Sequence, residues 1–110
     1  MHTFYILYSP LLDQYYIGET QDFKERLVQH NTGFFKNSST SKSSDWHKYL
    51  TTECLSRSHA RKVEAFVKRQ KSRRFIESLK SDPVKLRSIL EVDIKKPSKA
   101  RPDYFIDVEV

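Results

Sequence analysis

Two short alternating runs, separated by a turn and followed at once by a capped helix, constrain this chain more than any other feature. Thr3–Ser9 and Tyr15–Glu19 read as strands rich in aromatic and branched residues, and Pro10-Leu11-Leu12-Asp13-Gln14 is the turn between them. Strict alternation puts Phe4, Ile6 and Tyr8 on one face and Tyr5 and Leu7 on the other. A hairpin closing near Leu11 to Asp13 brings Tyr16 and Gly18 to the face of Tyr5 and Leu7, with the tyrosines opposite or diagonal. Asp22, with Glu25 three residues on, starts a helix at Phe23, and Gly33 offers it a left-handed stop. On that helix Phe23 and Leu27 form an apolar stripe, and Arg26 and His30 a polar stripe beside it. Two phenols, a guanidinium and an imidazole are therefore expected on one surface.

The rest of the chain completes a small domain. Residues 33–45 form a polar, hydroxyl-rich loop, which is either a solvated linker or a segment that meets a phosphate backbone through Lys36 and Lys42. Trp46–Cys54 reads as a third strand. Ser56 or Ser58 caps a helix with Ala60, Val63 and Val67 at core spacing. Ser72 breaks it and caps another, with Phe75, Ile76 and Leu79 inward, and Asp82-Pro83 opens a short helix over Val84–Glu91. The expected fold is α+β: a small central three-stranded antiparallel sheet flanked by helices in β-β-α-β-α-α order, plus that last short helix. It occupies residues 1–92, followed over 93–110 by a basic linker and a tail that alternates like an edge strand. A chain of 110 residues suits one such domain.

Twenty basic against fourteen acidic residues give a formal charge of +6, which favours a polyanionic partner without identifying one. Between Arg57 and Arg74 the bias is strongest: Arg57, Arg61, Lys62, Lys68, Arg69, Lys71, Arg73 and Arg74 surround a single acid, Glu64. Glu64 has two explanations, an i, i+4 pair with Lys68 or a metal held among cations that hold phosphates. The lone Cys54 excludes an internal disulfide, and no ligand spacing for zinc occurs. With no apolar run near the roughly 18 residues of a membrane span and no signal peptide, the expected setting is cytoplasmic, with no membrane partner.

The ordered set resembles the GIY-YIG nuclease family, over roughly residues 3 to 80. Tyr16-Ile17-Gly18 keeps the second half of that signature intact, whereas Thr3-Phe4-Tyr5 keeps only the tyrosine of the first. Arg26 and His30 stand where the family carries its helix arginine and, in some branches, a histidine one turn later; Glu64 stands at the place of the metal-binding glutamate. Glu19 departs from members that place lysine after the glycine. An acid there repels phosphate, serves as an extra carboxylate near the metal, or is an ordinary surface residue.

The resemblance implies a small stand-alone endonuclease related to the nuclease domain of the excision-repair subunit, acting on DNA or alternatively RNA, with DNA repair or recombination as its setting. Its expected cofactor is one Mg²⁺ or Mn²⁺ on Glu64, completed by water and substrate oxygens. Arg26 holds a non-bridging phosphate oxygen, and Tyr5 positions the water or phosphate. Tyr16 is the implied base, and His30, the nearby group that titrates close to neutrality, is the alternative. The expected products carry a 5′-phosphate and a 3′-hydroxyl. Lys36, Lys42, Lys68, Arg69, Lys71, Arg73 and Arg74 are the candidate nucleic-acid contacts. Two rivals are a silent nucleic-acid-binding module of the same fold and a protein-interaction domain whose basic helix meets an acidic partner. Self-association is left open.

Overall fold

The structure is a computed structural model that describes residues 2–34 and 39–92. The alternating runs form strands β1 (His2–Ser9) and β2 (Gln14–Thr20), which lead into helix α1 (Phe23–Asn31). A 3-10 turn at Ser39–Lys42 precedes β3 (His47–Cys54), and helices α2 (Arg57–Gln70), α3 (Arg73–Ser81) and α4 (Pro83–Val92) follow. The sheet is antiparallel in the order β2-β1-β3, so the first strand is central. Lys36, the basic linker and the alternating tail lie outside the described residues.

Local signals set the element ends. Asp13 closes the hairpin with a positive φ of 52°, a conformation that aspartate tolerates better than most side chains. Its carboxylate accepts from Tyr8 Oη at 2.5 Å and pairs with Arg73, tying the turn to α3. The Asp22 side chain accepts from Glu25 N at 3.1 Å, as its spacing predicts. At the other end of α1, Gly33 has φ 75° and Phe34 N donates to Gln29 O at 3.0 Å, the left-handed stop expected of that glycine. Ser56, not Ser58, caps α2 through His59 N, and Ser72 caps α3 through Phe75 N. Trp46 is buried just ahead of β3 instead of opening it.

Alternation divides the sheet into two unlike faces. Phe4, Ile6, Tyr15 and Ile17 turn to one side, where they meet Ala60, Val63 and Val67 of α2, Ile76 and Leu79 of α3, and Ile89 of α4. Tyr5, Leu7 and Tyr16 turn to the other side, with Trp46 and the Phe23 and Leu27 stripe of α1. Burial of this apolar surface, at about 25 cal/mol per Å², is the main favourable term for the fold.

Candidate active site

The β1–β2 register pairs Tyr5 with Gly18 and Leu7 with Tyr16, so the two phenols lie diagonally on the face that α1 covers, their ring centroids 6.3 Å apart. Tyr5 is fully buried and its ring lies across Gly18: a Cβ added there would stand 2.6 Å from Tyr5 Oη and 2.7 Å from Cζ. Glycine at this position therefore makes room for the phenol of the neighbouring strand. Burial pushes the Tyr5 phenol well above its ordinary pKa, against the pull of the Arg26 guanidinium within hydrogen-bonding reach of it.

From α1, Arg26 enters the site half-buried, while His30 departs from the polar stripe expected of it. Only 1% of His30 is exposed. Its Nε2 lies 3.0 Å from Tyr5 Oη and its Nδ1 2.9 Å from Thr40 Oγ1, while Trp46 Nε1 donates to Thr40 O at 2.9 Å. Its ring also meets that of Tyr16 edge-on at 4.6 Å. Burial first, and the positive charge of Arg26 second, push the imidazole pKa down to about 4. The expectation of a group titrating near neutrality thus fails for a plain reason: a charged imidazole in this enclosure would lose its hydration beside a cation. His30 is a neutral hydrogen-bonding bridge between the site phenol and the 3-10 turn.

Helix α2 supplies the opposite wall. Arg57, Arg61, Glu64 and Lys68 recur at i, i+4, i+7 and i+11, one helical face beside the apolar stripe. Lys68 Nζ donates to Glu64 Oε2 at 2.6 Å, with side-chain exposures of 9% and 17%. Burial raises the Glu64 carboxyl above its ordinary pKa, and Lys68 opposes the rise. Glu19 faces the same space: it lies 3.7 Å from Arg57 and 3.5 Å from His2, and its Oε2 is buried without a hydrogen-bond partner among the described residues.

These walls enclose a cleft of about 210 Å³ lined by Tyr5, Tyr16, Gly18, Glu19, Arg26, Arg57, Arg61, Glu64 and Lys68. Four of the residues singled out in sequence, Tyr5, Tyr16, Arg26 and Glu64, thus come together from four elements, and His30 stands behind Tyr5. The cations outnumber the carboxylates, which gives the cleft a charge suited to a phosphodiester. A hard divalent ion fits the donor set: two carboxylates and the Tyr16 phenol offer oxygen ligands, and Glu19 Oε2 is buried with no hydrogen bond among the described residues, His2 Nε2 standing off at 3.5 Å. The protein shell is partial, since no three His, Cys, Asp or Glu converge among the described residues. Waters and substrate oxygens would complete it, as Mg²⁺ commonly allows.

The expected nucleic-acid contacts divide. Lys68 lines the cleft, but buried and paired with Glu64. Arg73 is drawn into the fold by Asp13 and Glu77 and by the ring of Tyr15 at 5.3 Å. Lys42, Arg69, Lys71 and Arg74 are exposed and do not line the cleft. Arg57 and Arg61, which were not among the candidates, do line it, and so does Glu19, the acid that follows Gly18. For the two arginines the signal was present in their helical spacing from Glu64.

The family model for the GIY-YIG catalytic domain matches residues 1–80 of this chain. No curated protein and no solved structure matches it significantly. Among the described residues, no helix is long and apolar enough to cross a membrane.

Proposed function

Because the chain belongs to the GIY-YIG family, whose nucleases act on nucleic acids, we propose that it is a divalent-metal-dependent endonuclease hydrolysing phosphodiester bonds in DNA. The observation that carries this reading is the convergence of Tyr5, Tyr16, Arg26 and Glu64 on one phosphate-sized cleft. Glu64, with Glu19 nearby, would hold one Mg²⁺ or Mn²⁺. Bound there, the ion would polarise the phosphate and neutralise charge on the leaving oxygen. Arg26 holds a non-bridging oxygen through its planar fork, a geometry that lysine lacks. Arg57 and Arg61 add positive charge where it is needed as negative charge builds on phosphorus.

Tyr16 is the base in this reading. Tyr5 is disfavoured because burial makes its proton harder to remove, and His30 because it is a weak base that does not line the cleft. A phenol has a reference pKa near 10, so each unit of lowering asks for about 1.4 kcal/mol of preference for the phenolate. Arg26 and the cations of α2 are the sources of that preference. Tyr5 and His30 are positioning residues, and they keep one wall of the cleft rigid. The buried free thiol of Cys54 suits a reducing, cytoplasmic setting.

The test is incubation of labelled single-strand, duplex and branched DNA, and RNA, with Mn²⁺, comparing the wild-type chain with Glu64→Ala. Cleavage that vanishes in the variant while DNA retention persists is the expected result. Equal cleavage by both proteins would remove Glu64 from the reaction. Retention with a steep salt dependence and no cleavage by the wild-type chain would favour a silent binding module.

A further inference from the structure

Two ion pairs join described residues that line the cleft, Glu19 with Arg57 at 3.7 Å and, much closer, Glu64 with Lys68. The two side chains of the closer pair are sheltered, and the ammonium sits 2.6 Å from a carboxylate oxygen that the proposed function gives to a metal. An oxygen that already holds one cation in contact cannot take a divalent ion beside it without bringing two like charges together in a poorly hydrated space. Lysine is suited to yield, being a point charge with three rotatable donors on a flexible stem. Lys68 is one of the residues lining the cleft proposed to receive the scissile phosphate, so an entering phosphate offers its ammonium another acceptor.

We infer that Lys68 is the resident counter-ion of Glu64, displaced onto the substrate phosphate when the divalent ion arrives, so that metal and nucleic acid bind with positive coupling. The inference rests on the metal role proposed for Glu64 and adds a consequence to it. Without substrate, Lys68 competes with the ion for the carboxylate, and metal affinity is weak. With a phosphodiester in the cleft, Lys68 has a new partner and the competition ends. Linkage makes the effect reciprocal: the metal tightens nucleic-acid binding by the factor by which nucleic acid tightens the metal. The device keeps the carboxylate neutralised and the metal absent until a substrate is in place.

The experiment is a Mn²⁺ titration followed by electron paramagnetic resonance on the full chain. It is run with and without a phosphorothioate DNA oligonucleotide that resists cleavage, the oligonucleotide's own Mn²⁺ uptake being measured separately. In the wild-type chain the oligonucleotide is expected to tighten Mn²⁺ binding by about tenfold, within the usual range for coupled sites. Lys68→Met should bind Mn²⁺ about tenfold more tightly without DNA and lose most of the coupling. Lys68→Gln should behave likewise, and a thermal melt confirms that each variant is folded. Arg69→Met, which removes an exposed cation of the same helix that does not line the cleft, should shift the affinity by less than about threefold and keep the coupling.

Lys68 variants that bind Mn²⁺ as the wild type does, or keep the full coupling, would overturn the inference. If neither variant folds, the wild-type titration alone decides, because Mn²⁺ affinity indifferent to the oligonucleotide would also overturn it. Glu64→Gln separates this inference from the reading it rests on. Unchanged Mn²⁺ binding in Glu64→Gln removes the metal role itself. Lost binding there, with unaffected Lys68 variants, removes only the counter-ion.

Discussion

The two faces of this small sheet are built from nearly the same kinds of residue and serve different ends. Tyr15 and Tyr16 are chain neighbours. Tyr15 points to the core that α2, α3 and α4 cover, where its hydroxyl donates to Glu77 Oε2 at 2.9 Å. Tyr16 points to the cleft beside Arg26 and Glu64. Phe4 and Tyr5 divide in the same way. The pleat assigns one residue to the core and the next to the cleft face, and a shift of one position would exchange them. α2 repeats the division along a helix, with Ala60, Val63 and Val67 in the core and Arg57, Arg61, Glu64 and Lys68 on the cleft.

The comparison breaks first on stability. Ile17, 1% exposed between Tyr16 and Gly18, belongs to the core face, and Ile17→Ala should cost about 2–5 kcal/mol in urea unfolding. A loss below about 1 kcal/mol would mean that this face does not carry the fold.

A smaller effect sharpens the account of the site face. Held at about 4 against an ordinary 6.5, His30 is neutral in the folded chain, while the unfolded chain binds a proton at that residue below pH 6.5. Its contribution is fully present above pH 6.5 and is lost as pH falls towards 4, amounting to roughly 3 kcal/mol at most. His30→Gln should flatten that part of the stability profile, measured by urea unfolding at pH 4.5, 5.5 and 7. An unchanged slope in the variant would show that other groups produce it.

Much of this was legible in the sequence because it depends on local rules. The hairpin, the caps at Asp22, Ser56 and Ser72, the stop at Gly33 and the grouping of Tyr5 with Tyr16 follow from alternation and side-chain hydrogen bonding within a few residues. What was not legible depends on contacts made across the chain. His30 lies on a helix face that reads as polar, and only the packing of Thr40 and Trp46 over it makes it a buried bridge. Arg73 reads as one more cation in a basic run until the hairpin turn delivers Asp13 to it across sixty residues. Glu19 gains its place in the cleft only once α2 lies beside β2. Arg57 and Arg61 could have been found from their spacing to Glu64; the uniform charge of the run hid that face.

The most direct measurement sets the two neighbouring tyrosines against each other, as Mn²⁺-dependent DNA cleavage by Tyr15→Phe and Tyr16→Phe, with urea unfolding of both. Tyr15→Phe should keep cleavage near the wild-type rate and lose about 1 kcal/mol of stability with its bond to Glu77. Tyr16→Phe should keep its stability and lose cleavage by about 100-fold or more, the range for removal of a general base. Equal cleavage by the two variants, or a larger loss in Tyr15→Phe, would contradict the division of the sheet into a packing face and a catalytic one.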